Sequence, residues 1–566
     1  MKRRLTILPA LLLAAVSSLA APVLPGHKKT LPDNDGNIIT AEQFGDEFLS
    51  WWQTDDGTRY TLADDGKTFA KADFSAMQAH ARAMRAPLAK SGIGGDHITY
   101  TGKKKGLIIL VQFADRQFKP EHGRDYYETI ANGEGFTSDE GYIGSVHDYY
   151  MAQSNGLFDL TFDVVGPVTT VNGYAYYGAN KGSSKDMKIG ELVREVSDAA
   201  APGLDLSQYD WDGDGIADQV FYLYAGVGEN ASDDPNTIWA HMYYMHNRGG
   251  TLSYPTGKID RYACASELMG IKDKDGKYTD QTRLSGIGTL CHEFSHCLGF
   301  PDTYDTNGQK LYGMGYYDLL AYGNYLGNGL TPPNFTAWER IYAGWTEPIE
   351  LDRAATVKAM QSATEYGRPF IMYNDANHDE YYLLENRQKT GWDRSLYGTG
   401  LMITHVDYEK KRWTDNKVNA TGQDHQRMTL IHADNDDLDN LVSSVRGDLY
   451  PYTSKDGLTH NDELTDTSTP AATLWNSHDK SIGTTYMGKP ITAITRNDDG
   501  TVSFLVMGGD DSNTPDNADP TGITALKPHR RTADSGIYTL DGRRMNGTLD
   551  TLPKGVYVTG GRKVMK

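Results

Sequence analysis

The chain is predicted to be an α+β multidomain protein, with a mixed α/β unit followed by a β-sandwich and a small β tail. Three observations predict this. Between residues 96 and 349 apolar strand-like runs alternate with helix-like stretches, the signature of mixed α/β layers. From 350 to about 508 helical periodicity is lost, and short strands such as Tyr381-Tyr382-Leu383-Leu384-Glu385 and Gly400-Leu401-Met402-Ile403-Thr404-His405-Val406 follow one another, as in a sandwich. A polar run with Asp-Asp-Ser-Asn-Thr-Pro over 509–521 then separates the last residues as a linker would. At 566 residues the chain has room for three or more folding units and a full core.

Met1-Lys2-Arg3-Arg4, the largely apolar run Leu5 to Val16 and the small-residue site Ser18-Leu19-Ala20 read as a secretory signal peptide over residues 1–20. The run is too short to span a membrane and no later one is long enough, so a protein without a transmembrane segment, secreted or held at the cell surface, is expected. Residues 21–95 bring short strands with Asp-Gly turns around Trp51-Trp52 and Asp55-Asp56-Gly57. A polar helical stretch, Ala70 to Lys90, then leads into the loose Ser91-Gly92-Ile93-Gly94-Gly95, a tether of the kind proteases cut. This segment reads as a removable propeptide, or else as a permanent amino-terminal subdomain.

The α/β unit opens on the apolar run Gly106 to Phe113, which reads as a buried strand. Ser145 to Ser154, stopped by Asn155-Gly156, reads as a helix, and Ser184 to Ala200 as a second. In Asp210-Trp211-Asp212-Gly213-Asp214-Gly215-Ile216-Ala217-Asp218 oxygen donors recur at alternate positions around a tight turn. Asp210, Asp212, Asp214 and Asp218 have the rhythm of an EF-hand-like Ca²⁺ loop, yet Phe221 stands where that loop carries its twelfth-position Glu. A calcium site and a metal-free acidic turn both fit.

His292-Glu293-Phe294-Ser295-His296-Cys297-Leu298-Gly299-Phe300-Pro301-Asp302 is the most informative stretch. On a helix His292 and His296 lie on one face and can offer two imidazole nitrogens to one Zn²⁺, with Glu293 beside it to polarise water. Gly299 tolerates the left-handed turn that ends the helix and brings back Asp302 as a third ligand. Three protein ligands leave an open position for water, as a catalytic zinc needs. A Glu from a later helix, Glu339, is the alternative third ligand. Asp305 reads as a turn residue. The bland alternative is a pair of ordinary helix histidines.

A net charge of −20, from 75 acidic and 55 basic residues, argues against nucleic acid or an anionic membrane as partner. The three cysteines, Cys264, Cys291 and Cys297, are too few for a disulfide framework. Cys291 and Cys297 are badly placed to bridge each other, whereas Cys264 could bridge one of them.

The unit carrying these motifs resembles the immune inhibitor A family of secreted bacterial zinc metallopeptidases, within the metzincin-like group. The likeness runs from the Gly-Asp-Glu segment at 45–47 through the strand at 107–113, the Asp210–Asp218 loop and the His292 helix to Glu380–Arg387. It implies a metzincin-like catalytic domain over 96–349, zinc ligands at His292, His296 and Asp302, and Glu293 as catalytic base, with protein or peptide substrates. One departure stands out. The family's Met-turn falls on Tyr317-Asp318-Leu319-Leu320, where Leu320 replaces methionine, a volume-conserving swap that should cost under about 1.5 kcal/mol. Tyr322 falls where some metzincins hold an oxyanion-stabilising tyrosine, or it is a packed aromatic. Residues 522–566 hold two hairpin-like pairs and resemble carboxy-terminal sorting tails of Bacteroidetes-type exported proteins, which would engage export machinery. Two rivals remain at this point, an exported adhesin or glycan-binding protein with a degenerate peptidase unit, and a zinc amidase.

Overall fold

The computed structural model describes residues 19–63, 66–85, 100–181, 184–308, 313–436 and 444–518, with four short strands beyond. It divides into a large unit ending at Pro520 and a small one from Thr521 to Lys566. Most of the predicted leader, the Ser91–Gly95 tether and part of the linker lie outside the described residues.

The large unit is built on a seven-stranded sheet. Gly102–Gln112 runs parallel to both Phe158–Thr169 and Val220–Val227, and Arg261–Lys272 continues parallel to Val220–Val227. Tyr278–Leu284 and His241–Tyr244 both pair antiparallel with Arg261–Lys272, and Leu19–Ala20 pairs antiparallel with His241–Tyr244. The run Leu107 to Val111 is buried throughout because successive side chains alternate between two cores. Leu107, Ile109 and Val111 face the helix Ile189–Ala200 through Leu192, Val193 and Val196. Ile108 and Leu110 share the other core with Tyr149, Tyr150, Leu290 and Phe294.

Helix boundaries follow local chemistry. Val146–Gln153 starts at a capping box in which Ser145 and Asp148 satisfy each other's backbone N–H groups, and it stops before Asn155 and Gly156, both left-handed. The helix expected from Ser184 begins only at Ile189, because Ser184 pairs with Lys181 and Asp186 is held at φ +46°, accepting the Trp239 N–H. The helix expected from Ala70 spans Phe74–Arg85, since Phe69–Lys71 is taken as the last strand of a five-stranded antiparallel meander over residues 28–71.

Beyond residue 349, a five-stranded sheet over 349–430 packs against a three-stranded sheet, Ala355–Met360, Ile491–Arg496 and Val502–Val506. Tyr382, Leu384, Leu401 and Ile403 meet Val357, Val502 and Phe504 between the sheets. The opposite face is not solvated: Leu383, Met402 and Val406 join the core that also holds Phe294 and Leu320. The alternation predicted the strands, and the structure adds that both faces are covered. In the small unit Ile537–Thr539, Arg544–Met545, Val556–Thr559 and Arg562–Met565 form a four-stranded antiparallel sheet. Among the described residues no helix is long and apolar enough to cross a membrane. Cys264, Cys291 and Cys297 are buried free thiols, so the bridge considered from Cys264 is not formed.

Candidate active site

The helix Gly288–Cys297 is buried along its whole length. Its start passes so close to a neighbouring turn that a Cβ on Gly288 would lie 1.9 Å from the Asn324 carbonyl oxygen, which requires glycine. Tyr150 donates to the Cys291 carbonyl, and Arg261 donates to that of Cys297. At the far end Gly299 adopts φ +92° and donates to the His296 carbonyl, and the chain reverses to bring Asp302 back beneath the helix.

This places His292 Nε2 3.4 Å and His296 Nε2 3.3 Å from the same Asp302 Oδ1. Each imidazole is oriented from behind, with His292 Nδ1 donating to the Leu319 carbonyl and His296 Nδ1 to that of Phe300, both at 2.7 Å. The backbone of the Tyr317–Leu320 turn therefore passes under His292, with Leu320 fully buried. With both protons spent on carbonyls, the two Nε2 atoms present lone pairs to a carboxylate oxygen. All three atoms are buried without a hydrogen-bond partner. Three converging acceptors with no donor among them are a poor arrangement for protein alone and a good one for a cation. Two borderline imidazole nitrogens and one hard carboxylate oxygen make a three-donor set that suits a catalytic divalent metal.

The outer oxygen of Asp302 is fixed by a residue 114 positions away. Asn416 Nδ2 donates to Asp302 Oδ2 at 2.6 Å, and the Asp302 N–H donates to Asn416 Oδ1 at 2.7 Å. Burial alone would raise the Asp302 carboxyl, but the flanking imidazoles pull it well below the usual carboxylate range. Glu293 goes the other way: burial, then the neighbouring Asp302 charge, pushes its carboxyl well up, against the pull of the Ala21 N–H. A Glu293 oxygen lies within 4.8 Å of donor atoms on both imidazoles, as a water-activating carboxylate requires.

The remaining sequence candidates sort clearly. Glu339 closes a capping box with Thr336 through Oε2 at the start of Ala337–Tyr342, and it is not in the group gathered with His292 and His296. Asp305 is the turn residue expected, accepting from Asn307 and Thr421. Nearer the start of the chain, Asp46 accepts the Phe48 and Leu49 N–H groups, and Asp73 accepts the Ala76 N–H at the start of Phe74–Arg85. The Tyr322 ring packs between Tyr304 and Tyr316, with centroids 6.2 and 6.0 Å away. Asp210, Asp212 and Asp218 gather within 4.8 Å of one another, whereas Asp214 stays outside that group and accepts the Ile216 N–H.

Sequence reasoning missed what fills the cleft. Leu19 and Ala20 pair with Met242 and His241 on the edge strand, and the Ala21 N–H donates to Glu293 Oε1 at 2.6 Å. The small-residue signal around Ala20 was visible, but nothing local tied it to Glu293, 272 residues away.

Residues 99–345 match the model of the immune inhibitor A peptidase M6 catalytic domain. The chain is also similar to the pre-pro-metalloprotease PrtV of Vibrio cholerae, 29% identical over 281 residues, covering 42% of this chain and 29% of that protein. It is 26% identical over 320 residues to immune inhibitor A of Bacillus thuringiensis subsp. alesti, covering 47% of this chain and 45% of the relative. The chain thus spans less than half the length of these relatives. The M6 similarity supports a metallopeptidase. His292, Glu293, His296 and Asp302 all fall inside the matched stretch, whereas Asn416 and Ala21 fall outside it.

Proposed function

We propose that the protein is a secreted zinc endopeptidase made as a latent precursor, with His292, His296 and Asp302 holding the ion and Glu293 as general base. The observation that carries this reading is the convergence of three buried, unpartnered acceptor atoms beside a buried carboxylate. When bound, zinc supplies Lewis acidity, lowering the pKa of water toward about 7 and polarising a carbonyl. Glu293 takes a proton from the attacking water and delivers it to the leaving amine, a role for which its place beside both imidazoles suits it. The Leu319 and Phe300 carbonyls fix the imidazole tautomers, and Asn416 fixes the Asp302 carboxylate. The intact Glu293 speaks against a degenerate, purely adhesive protein.

Latency follows from the start of the propeptide, residues 21–24, whose Ala21 N–H engages Glu293 and whose Val23 and Leu24 N–H groups are held by the Gly45 and Asn230 carbonyls. Removing residues 21–95 at the 91–95 tether activates the enzyme. The Asp210–Asp218 loop binds calcium as a stabilising ion, and the four-stranded tail serves export. The test is direct: chelator-stripped protein should lose hydrolysis of casein and of peptides, and added zinc should restore it. Activity that survives complete metal removal, or glycan cleavage without peptide cleavage, would defeat the proposal.

A further inference from the structure

The strand in the cleft is placed as a substrate would be. Leu19–Ala20 lies antiparallel to the sheet's edge strand, with Ala20 opposite His241. The Ala20–Ala21 peptide unit then crosses the catalytic carboxylate. Its nitrogen donates to Glu293 Oε1 at 2.6 Å and lies 3.3 Å from the Ala240 carbonyl oxygen. Glu293 is thus in contact with the type of atom to which it must return a proton, the nitrogen of a departing amine. On the other side of the same unit the Ala20 carbonyl oxygen accepts the Tyr304 phenol at 2.7 Å. The following carbonyls are also bound by buried side chains, that of Ala21 by Trp239 Nε1 at 2.7 Å and that of Pro22 by Tyr325 Oη at 2.5 Å. Five consecutive backbone groups, from the Ala20 carbonyl to the Val23 N–H on the Gly45 carbonyl, are therefore hydrogen-bonded.

We infer that Ala20–Ala21 occupies the position of a scissile bond, and that Tyr304 is the catalytic residue that stabilises its carbonyl oxygen. This inference rests on the zinc-peptidase reading. In the reaction the water oxygen bonds to the carbonyl carbon, its proton passes to Glu293 and on to the nitrogen, and the carbon–nitrogen bond breaks. Tyr304 keeps its proton and gives only a hydrogen bond, stronger as charge builds on the oxygen. Its phenol also lies 3.1 Å from Asp46 Oδ2, a contact that leaves with the propeptide. Tyr322, the position marked by family resemblance, lies behind Tyr304 as its packing partner. Leader removal after Ala20 would leave the amine half of this strand in place as a product-like ligand, its new amino group against Glu293.

The same placement names a substrate class. The Ala20 methyl packs in a cluster with Phe48, Leu49 and Trp51, in the segment to be removed, and with Trp239 of the catalytic unit, which remains. The Ala21 methyl is fully buried in the core of the catalytic unit itself. A close-packed site of that size favours alanine, glycine or serine on the amine side of the cleaved bond.

Tyr304→Phe keeps the ring and removes only the donor. In trypsin-activated enzyme kcat on a peptide substrate should fall about 100- to 1,000-fold, with KM within about threefold and one zinc per chain retained. In the unprocessed chain, with or without metal, the Ala21 and Val23 amides should exchange hydrogen faster in Tyr304→Phe than in the parent. Replacing alanine by leucine on the amine side of the cleaved bond should lower kcat/KM at least about 10-fold. Full kcat in Tyr304→Phe with zinc intact, a comparable loss seen only in Tyr322→Phe, or a preference for leucine would overturn the inference. Glu293→Gln serves as control: if it is inactive while Tyr304→Phe is not, only the role of Tyr304 fails, and if it is active the peptidase reading itself fails.

Discussion

The regions around His292 and around Asp210 both gather metal-ligating side chains, and they do so in opposite ways. Around His292 the donor atoms are buried and unpartnered, while the outer atoms of the same side chains are held by the Leu319 and Phe300 carbonyls and by Asn416. Around Asp210 the carboxylates are half-buried or, at Asp212, exposed, and they accept hydrogen bonds from their own loop. Asp210 accepts the N–H groups of Gly213, Asp214 and Gly215, and Asp218 accepts that of Trp211. Slight burial would raise the Asp210 carboxyl, and those backbone donors lower it instead. The first arrangement is costly without a cation and the second is a self-sufficient turn that a cation can still use. A metal should therefore be integral to the first and a modest stabiliser of the second.

The largest expected effect on this contrast comes from His296→Ala, which removes a donor and should abolish both bound zinc and turnover, read by metal analysis and peptide hydrolysis. Asn416→Ala tests whether an outer contact sets affinity. It leaves Asp302 Oδ2 buried without its donor, at a cost of about 1–3 kcal/mol, and should weaken zinc roughly 10- to 100-fold in competition with a chelating dye. Unchanged affinity would mean that the sheet region beyond residue 349 does not support the site. The smallest effect belongs to the acidic loop, where millimolar calcium should raise Tm by a few degrees and Asp212→Ala should blunt the rise. No change in Tm with calcium would leave the loop a plain turn.

The difference also explains what could be read from the chain. His292, Glu293, His296 and Asp302 lie within eleven residues, so helical spacing and one glycine turn carried most of the geometry. The alternating strands of 381–385 and 400–406 were equally legible, because a two-residue period is local. Asn416 was not, since its partner is 114 residues away and an asparagine after Trp413 looks like any turn residue. Nor was the role of Tyr304, which depends on a peptide strand that closes over it from the far end of the chain. Nor was the cap that Glu339 Oε2 makes with the Thr336 N–H, which the sequence around it did not single out.

The most direct test of the account separates metal holding from proton transfer at adjacent residues. Glu293→Gln keeps both imidazoles and Asp302 while removing the carboxylate that accepts the water proton. The account predicts about one zinc per chain, as in the parent, with turnover of the activated enzyme lower by at least about 10²–10⁴-fold. Zinc lost along with the carboxylate, or full turnover retained without it, would contradict the assignment of Glu293 as base beside a separate three-residue metal site.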